Sequence, residues 1–111
     1  MVADVISYNT KIVTAGSYDL SITEGTIFAC DCSSGAVTFE LPLIDPLVTK
    51  NGTTYTFTKT TVGANNVLVA PANGQTINGQ ASVVLTTPWV PLRIAAVIGE
   101  GPTPPTFWMA V

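Results

Sequence analysis

The chain has 111 residues and a mass of 11.6 kDa, which fits one domain built around a single hydrophobic core. It contains no histidine, two cysteines and only seven acidic residues, so few side chains can transfer protons near neutral pH and no enzyme is expected. Charged residues make up 10% of the chain against a usual ~25%, so uncharged polar residues or a second subunit must cover the surface.

The charge pattern also limits the class of partner. The net charge is −3, the pI is about 4.4, and the basic residues Lys11, Lys50, Lys59 and Arg93 are scattered, so we expect no nucleic-acid partner. The longest apolar stretches, such as residues 94–98, are far too short to span a bilayer. The first residues lack the features of a signal peptide, and we therefore expect neither a membrane partner nor secretion.

Apolar residues recur at every second position and β-branched residues are frequent, which predicts an all-β fold. Glycine, asparagine and proline interrupt the pattern every ~8–12 residues, as they do in a sandwich or barrel. We predict an N-terminal arm or first strands at residues 1–18 and a single β domain at 19–111, a compact antiparallel sandwich or barrel-like fold without an internal sequence repeat. The predicted strands are residues 5–8, 11–14, 17–23, 26–32, 36–41, 53–60, 66–70, 82–87, 92–98 and 106–111.

Several strands are expected to bury both faces. Tyr55 and Phe57 share one face of their strand and threonines share the other, so this strand has one apolar and one polar face. By contrast, the strands around residues 67–70, 83–85 and 94–98 are apolar on both faces. A domain of this size has too little interior to hide both faces of several strands, which predicts an obligate oligomer with an apolar β interface.

No residue set predicts a catalytic, cofactor or metal site. Cys30 and Cys32 flank Asp31, a spacing at which an intramolecular disulfide would be strained, so we expect two reduced, partly buried thiols. A metal site needs about four ligands, and only a threefold cluster of these cysteines across subunits could supply them. Trp89 and Trp108 could stack on a sugar ring if exposed, although burial in the core or a subunit contact is the commoner use of such aromatics.

Five short motifs follow one another from Tyr55 onward, after Gly35-Ala36-Val37-Thr38-Phe39 and Leu41-Pro42. They are Tyr55-Thr56-Phe57-Thr58-Lys59, Asn66-Val67-Leu68-Val69, Gly74-Gln75-Thr76-Ile77-Asn78-Gly79, a strand containing Leu85, and a closing Trp108. In this order, and over roughly residues 25–111, the chain resembles a small β module that recurs in bacteriophage virion proteins. It departs from the usual pattern in the longer loop at residues 99–105 and in the Met-Ala-Val that follows Trp108.

The resemblance implies a homotrimeric virion component of the kind found in head decoration (cement) proteins, head fibres and tail fibres. Because only some twenty residues precede the module, we expect a compact knob more than a fibre, namely a bacteriophage capsid decoration protein. It would be made in the host bacterial cytoplasm and bind the major capsid protein on the outer surface of the head. The alternative is a tail-tip or fibre-knob receptor-binding module, which copy number per virion would distinguish.

Two surfaces are expected to make these contacts. The apolar positions of the N-terminal arm could add a strand to a sheet of the capsid protein, or could form an ordinary strand of the domain. The residues expected at the capsid contact are Val2, Val5, Ile6 and Tyr8. Those expected at the trimer interface are Val83, Leu85, Trp89, Leu92 and Ile94.

Overall fold

The computed structural model describes residues 9–20, 26–47, 49, 52–72 and 74–111. Within these residues the chain forms nine β-strands and no helix. The strands are β1 (Asn9–Val13), β2 (Gly16–Asp19), β3 (Thr26–Cys30), β4 (Val37–Glu40), β5 (Thr54–Lys59), β6 (Val67–Ala70), β7 (Val83–Leu85), β8 (Leu92–Ile98) and β9 (Thr106–Ala110). The predicted strand at residues 5–8 lies outside the described residues, and each of the other predicted strands overlaps one of these nine.

The strands form two mixed sheets. Sheet A has the order β1-β3-β5-β8-β9, and sheet B has the order β2-β4-β6-β7. Pairing is parallel from β1 through β3 to β5 and from β2 through β4 to β6, whereas β7, β8 and β9 join by antiparallel pairing. The all-β prediction is confirmed, but the antiparallel prediction is wrong for the pairings among the first six strands, which are all parallel.

The path of the chain explains the parallel pairing. Each of the first five strands is followed by a strand of the other sheet, so the chain returns to each sheet running in its original direction. The glycine-containing turns at Ala15-Gly16 and Ser34-Gly35 therefore mark crossings between the two sheets. Three successive strand pairs stack in this way although the sequence has no repeat.

An aromatic cluster joins the two sheets. The Phe39 ring of sheet B lies 4.8 Å from the Phe28 ring and 4.7 Å from the Phe57 ring, both of sheet A, measured between ring centroids. Tyr18 of β2 stacks on Phe39 at 5.6 Å, and Val13 of β1 is buried in the same core. The first two strands, which begin inside the predicted arm at residues 1–18, therefore pack against the core of the domain.

Replacing Phe39 tests this core. Phe39→Ala removes the ring that contacts both sheets and should lower the free energy of unfolding by about 3–5 kcal/mol. Denaturant titration at a fixed protein concentration measures the change. Val62→Ala, at a side chain that is 90% exposed, is the control and should change the free energy by no more than about 0.5 kcal/mol. Equal losses in the two variants would contradict the position of Phe39 between the sheets.

Candidate functional site

Seven of the residues that carry the family resemblance have fully buried side chains in the core of the domain. Their aromatic and aliphatic side chains meet between the two sheets, where Tyr55 and Trp108 have their ring centroids 5.7 Å apart. Side chains of this type at full burial act through packing, so any binding surface must be sought among the residues around them. The motif residues with fully buried side chains are Tyr55, Phe57, Lys59, Val67, Val69, Ile77 and Trp108.

The Asn-Gly motif forms a tight turn that fixes the last strand. Asn78 and Gly79 have φ values of 50° and 78°, and Ile77 and Gln80 exchange backbone hydrogen bonds across them at 2.9 Å. Two positive φ angles are what an Asn-Gly pair accommodates in a two-residue turn. The Asn78 amide donates to the Trp108 carbonyl at 2.9 Å, and the Asn78 side-chain oxygen accepts from the Ala110 amide. This turn therefore holds β9 against the core.

Lys59 is a fully buried cation at the end of β5. Its Nζ donates to the Gly63 carbonyl at 2.9 Å, to Asn66 Oδ1 at 3.2 Å and to the Thr86 carbonyl at 3.4 Å. An ammonium group has three donors, and these three oxygens satisfy all of them. The side chain thereby ties β5 to the loops at residues 60–66 and 86–91.

The loop at residues 86–91 exposes an indole ring in a fixed position. Trp89 is 69% exposed and has a φ of 66°, a left-handed conformation that costs a residue other than glycine about 1–3 kcal/mol. The Trp89 amide donates to the Lys59 carbonyl at 2.8 Å, and Pro88 and Pro91 restrict the backbone on either side. Of the two tryptophans considered for stacking on a sugar, only Trp89 is accessible, because Trp108 is fully buried.

The outer face of sheet A is almost without charge. Strand alternation and register place Ile27, Thr56 and Arg93 in one row across β3, β5 and β8, and Arg93 is the one charged side chain on this face within the described strands. A cavity of about 260 Å³ opens here, lined by Thr26, Ile27, Thr54, Thr56 and Arg93. Nothing among the described residues hydrogen-bonds or ion-pairs with the Arg93 guanidinium.

The outer face of sheet B carries the opposite charge. Asp19 of β2 and Glu40 of β4 are direct neighbours in the parallel register, and both side chains are exposed. Further across the sheet the face becomes apolar, with Leu68 half-buried and Val84 half-exposed. The two outer faces of the domain therefore differ in charge.

The cysteines are buried thiols. Cys30 and Cys32 are free, and both are buried, as expected for reduced thiols. Burial, followed by the charge of Cys32, raises the pKa of the Cys30 thiol from 9.0 to about 12, so it stays protonated and weakly nucleophilic at neutral pH. The part of the chain that the structure describes contains no group of three or more side chains suited to hold a metal ion.

The predicted contact residues fall into different environments. Ile94 is fully buried in the core of its own chain, and Val83, Leu85 and Leu92 are half-buried against that core. Trp89 alone of this set projects into solvent. The residues predicted to contact the capsid, Val2, Val5, Ile6 and Tyr8, lie outside the described residues.

The Arg93 cavity is a feature that sequence reasoning missed. Arg93 was noted only as one of four scattered cations. Its position between Leu92 and Ile94, in a strand of otherwise apolar residues, is the signal that could have marked it as an outward-facing side chain.

Comparisons with known proteins add no identification. No family model matches the chain, and no curated protein matches it significantly. None of the described residues forms a helix of the length and apolarity needed to cross a membrane.

Removing the buried ammonium should destabilise the domain. Lys59→Met leaves three partly buried oxygens without their donor and should lower the free energy of unfolding by about 1–3 kcal/mol. Lys11→Met, at an exposed position on edge strand β1, is the matched control and should have little effect. Denaturant titration of both variants makes the comparison, and a Lys59 variant as stable as the control would contradict the three-oxygen contact.

The raised pKa of Cys30 predicts a loss of stability in alkali. Above pH 9 the thiol of the unfolded chain ionises while the folded thiol stays protonated up to about pH 12, so stability falls as the pH rises through this range. The free energy of unfolding of the wild type should therefore decline more steeply than that of Cys30→Ala. Parallel curves for the two proteins would show that Cys30 ionises equally in the folded and unfolded states.

Proposed function

We propose that this chain is a bacteriophage capsid decoration protein that binds the outer surface of the head as a homotrimer and stabilises it. The supporting observation is the ordered set of motifs, whose residues come together in one core. Tyr55, Ile77 and Trp108 are far apart in the sequence, yet all are fully buried in the same domain. Residues that are spaced along the chain and jointly form one core constrain the fold more strongly than any one hairpin motif does.

The surface of the domain suits a structural role in an assembly. The outer face of sheet A presents threonine and apolar side chains, with Arg93 as its one charge within the described strands. Such a face loses little hydration energy when another protein covers it, because few charges must be desolvated. A protein that binds only the assembled shell stabilises that shell by mass action, which is the physical task of a decoration protein.

A tail-tip or fibre-knob receptor-binding module is the second candidate. The exposed ring of Trp89 favours it, since aromatic side chains provide flat apolar surfaces for ligands. A cryo-electron-microscopy map of the particle separates the two functions by location and copy number. Hundreds of copies on the head support decoration, whereas a handful at the tail supports receptor binding and overturns the decoration proposal.

We assign attachment to residues 1–8, which include the predicted contact residues Val2, Val5, Ile6 and Tyr8. Their one charged side chain is Asp4, so covering them with a capsid sheet removes little charge from water. Each trimer would carry three such segments on one rigid body. Three weak contacts of this kind combine into strong binding through avidity.

Deleting residues 1–8 tests this attachment. The strands that pack against the core begin at Asn9, so the shortened chain should fold and assemble normally while its occupancy on capsids stripped of the protein falls sharply. Val5→Asp combined with Ile6→Asp should act in the same way in the full chain. Leu47→Asp, at a side chain that is 94% exposed, adds negative charge elsewhere and serves as the control.

Quantitative gel analysis of purified particles measures the occupancy. If the shortened chain rebinds at the wild-type level, attachment runs through the β domain. If it no longer folds, residues 1–8 belong to the core.

A further inference from the structure

We propose that copies of this chain contact one another by inserting Trp89 of one copy into the Arg93 cavity on sheet A of the next copy. The inference rests on the homotrimer in the proposed function and names its contact. It joins two features of the surface: the exposed indole ring and the empty cavity lined by Ile27 and Arg93.

The first half of the proposed contact is the exposed indole ring of Trp89. Trp89 is 69% exposed and keeps a left-handed backbone conformation that the surrounding loop must enforce. The hydrogen bond from its amide to the Lys59 carbonyl and the flanking Pro88 and Pro91 fix the loop. A ring presented by a rigid loop loses little conformational freedom on binding, and tryptophan is enriched among the residues that dominate protein interfaces.

The second half is a cavity of matching size. Its volume is about 260 Å³. A cavity of about 150 Å³ admits benzene, so the larger volume accommodates the two fused rings of an indole. Ile27 and the methyl groups of Thr54 and Thr56 give it an apolar lining, which an aromatic side chain can cover.

Charge provides the complementarity between the two halves. The Arg93 guanidinium borders the cavity and bonds to nothing else among the described residues. Tryptophan is the aromatic side chain that attracts a cation most strongly over its ring face, and arginine is the cation most often found there. An indole in this cavity would therefore give the guanidinium a partner that the described part of its own chain does not supply.

A second copy is the occupant that these observations favour. The ring of Trp89 lies in solvent, so it does not fill the cavity of its own chain. A cyclic trimer requires two different patches on each subunit, one that gives and one that receives, and the ring and the cavity are such a pair. Pro88, Val90 and Pro91 are the apolar neighbours of Trp89 in the sequence, and an apolar loop suits a protein cavity better than the polar edge of a sugar.

Two variants test the contact, one that removes the ring and one that blocks the cavity. Trp89→Ala keeps the cavity but lacks the ring, and Ile27→Trp fills the cavity but keeps the ring. At micromolar concentration each variant alone should sediment as a monomer, whereas the wild type sediments as a trimer. Mixed in equal amounts, they should form a heterodimer that grows no further, because only one complementary contact remains. Heterodimer formation also shows that both variants are folded.

Two conservative variants are the controls. Trp89→Phe keeps an aromatic ring and Ile27→Val keeps the cavity open, so both should assemble as trimers. Arg93→Ala should weaken assembly at least tenfold, whereas Lys11→Ala on β1 should leave it unchanged.

Other outcomes overturn the inference in distinguishable ways. If either Trp89→Ala or Ile27→Trp remains trimeric, the contact lies elsewhere on the chain, and the decoration proposal stands. If Trp89→Ala remains trimeric but its occupancy on capsids falls, the ring binds the capsid protein and not a second copy. A wild-type monomer in solution would overturn both this contact and the homotrimer from which it follows.

Discussion

The need of the buried Lys59 ammonium group for hydrogen-bond acceptors determines how the loops at residues 60–66 and 86–91 are arranged. A buried cation must be surrounded by acceptors, and the three oxygens that surround Nζ come from Gly63, Asn66 and Thr86. These residues belong to two separate loops, so satisfying one charge fixes the positions of both. The Lys59 carbonyl then accepts the Trp89 amide, which extends the same constraint to the exposed ring. Stability and surface shape are coupled here through a single side chain.

The alternating path of the chain determines what the surface must look like. Parallel strands are usually covered on both faces, and here the aromatic cluster around Phe39 covers only the inner faces. The outer face of sheet A keeps the composition of a covered surface, with Ile27 and Ala29 beside threonines and a single arginine within the described strands. The proposed assembly would explain both the parallel pairing and the scarcity of charge, because another protein would then cover the outer face of sheet A.

The positions of the strands could be predicted from the sequence because the apolar period of two is a property of each strand and does not depend on how the strands are paired. Their direction could not, since a glycine turn such as Ser34-Gly35 serves equally well in a hairpin and in a crossing between sheets. A strand that is apolar on both faces, such as β8, also conceals which face is buried, so the sequence pattern could not show that Ile94 lies in the core of its own chain. The Arg93 cavity requires the register of three strands that are distant in sequence, which no local pattern encodes.

The parallel pairing of β1 with β3 and of β3 with β5 affects how the chain folds during synthesis. A ribosome releases β1 and β2 first, but their pairing partners β3 and β4 come later in the chain, and the strands that close the two sheets come last. Nearly every pairing joins strands that are separated in the sequence by another strand or by a long loop. Such non-local topologies fold slowly because the intervening chain must be closed into a loop before any contact is gained. The nascent chain therefore exposes unpaired apolar strands during synthesis, which makes its maturation sensitive to temperature and to chaperone supply.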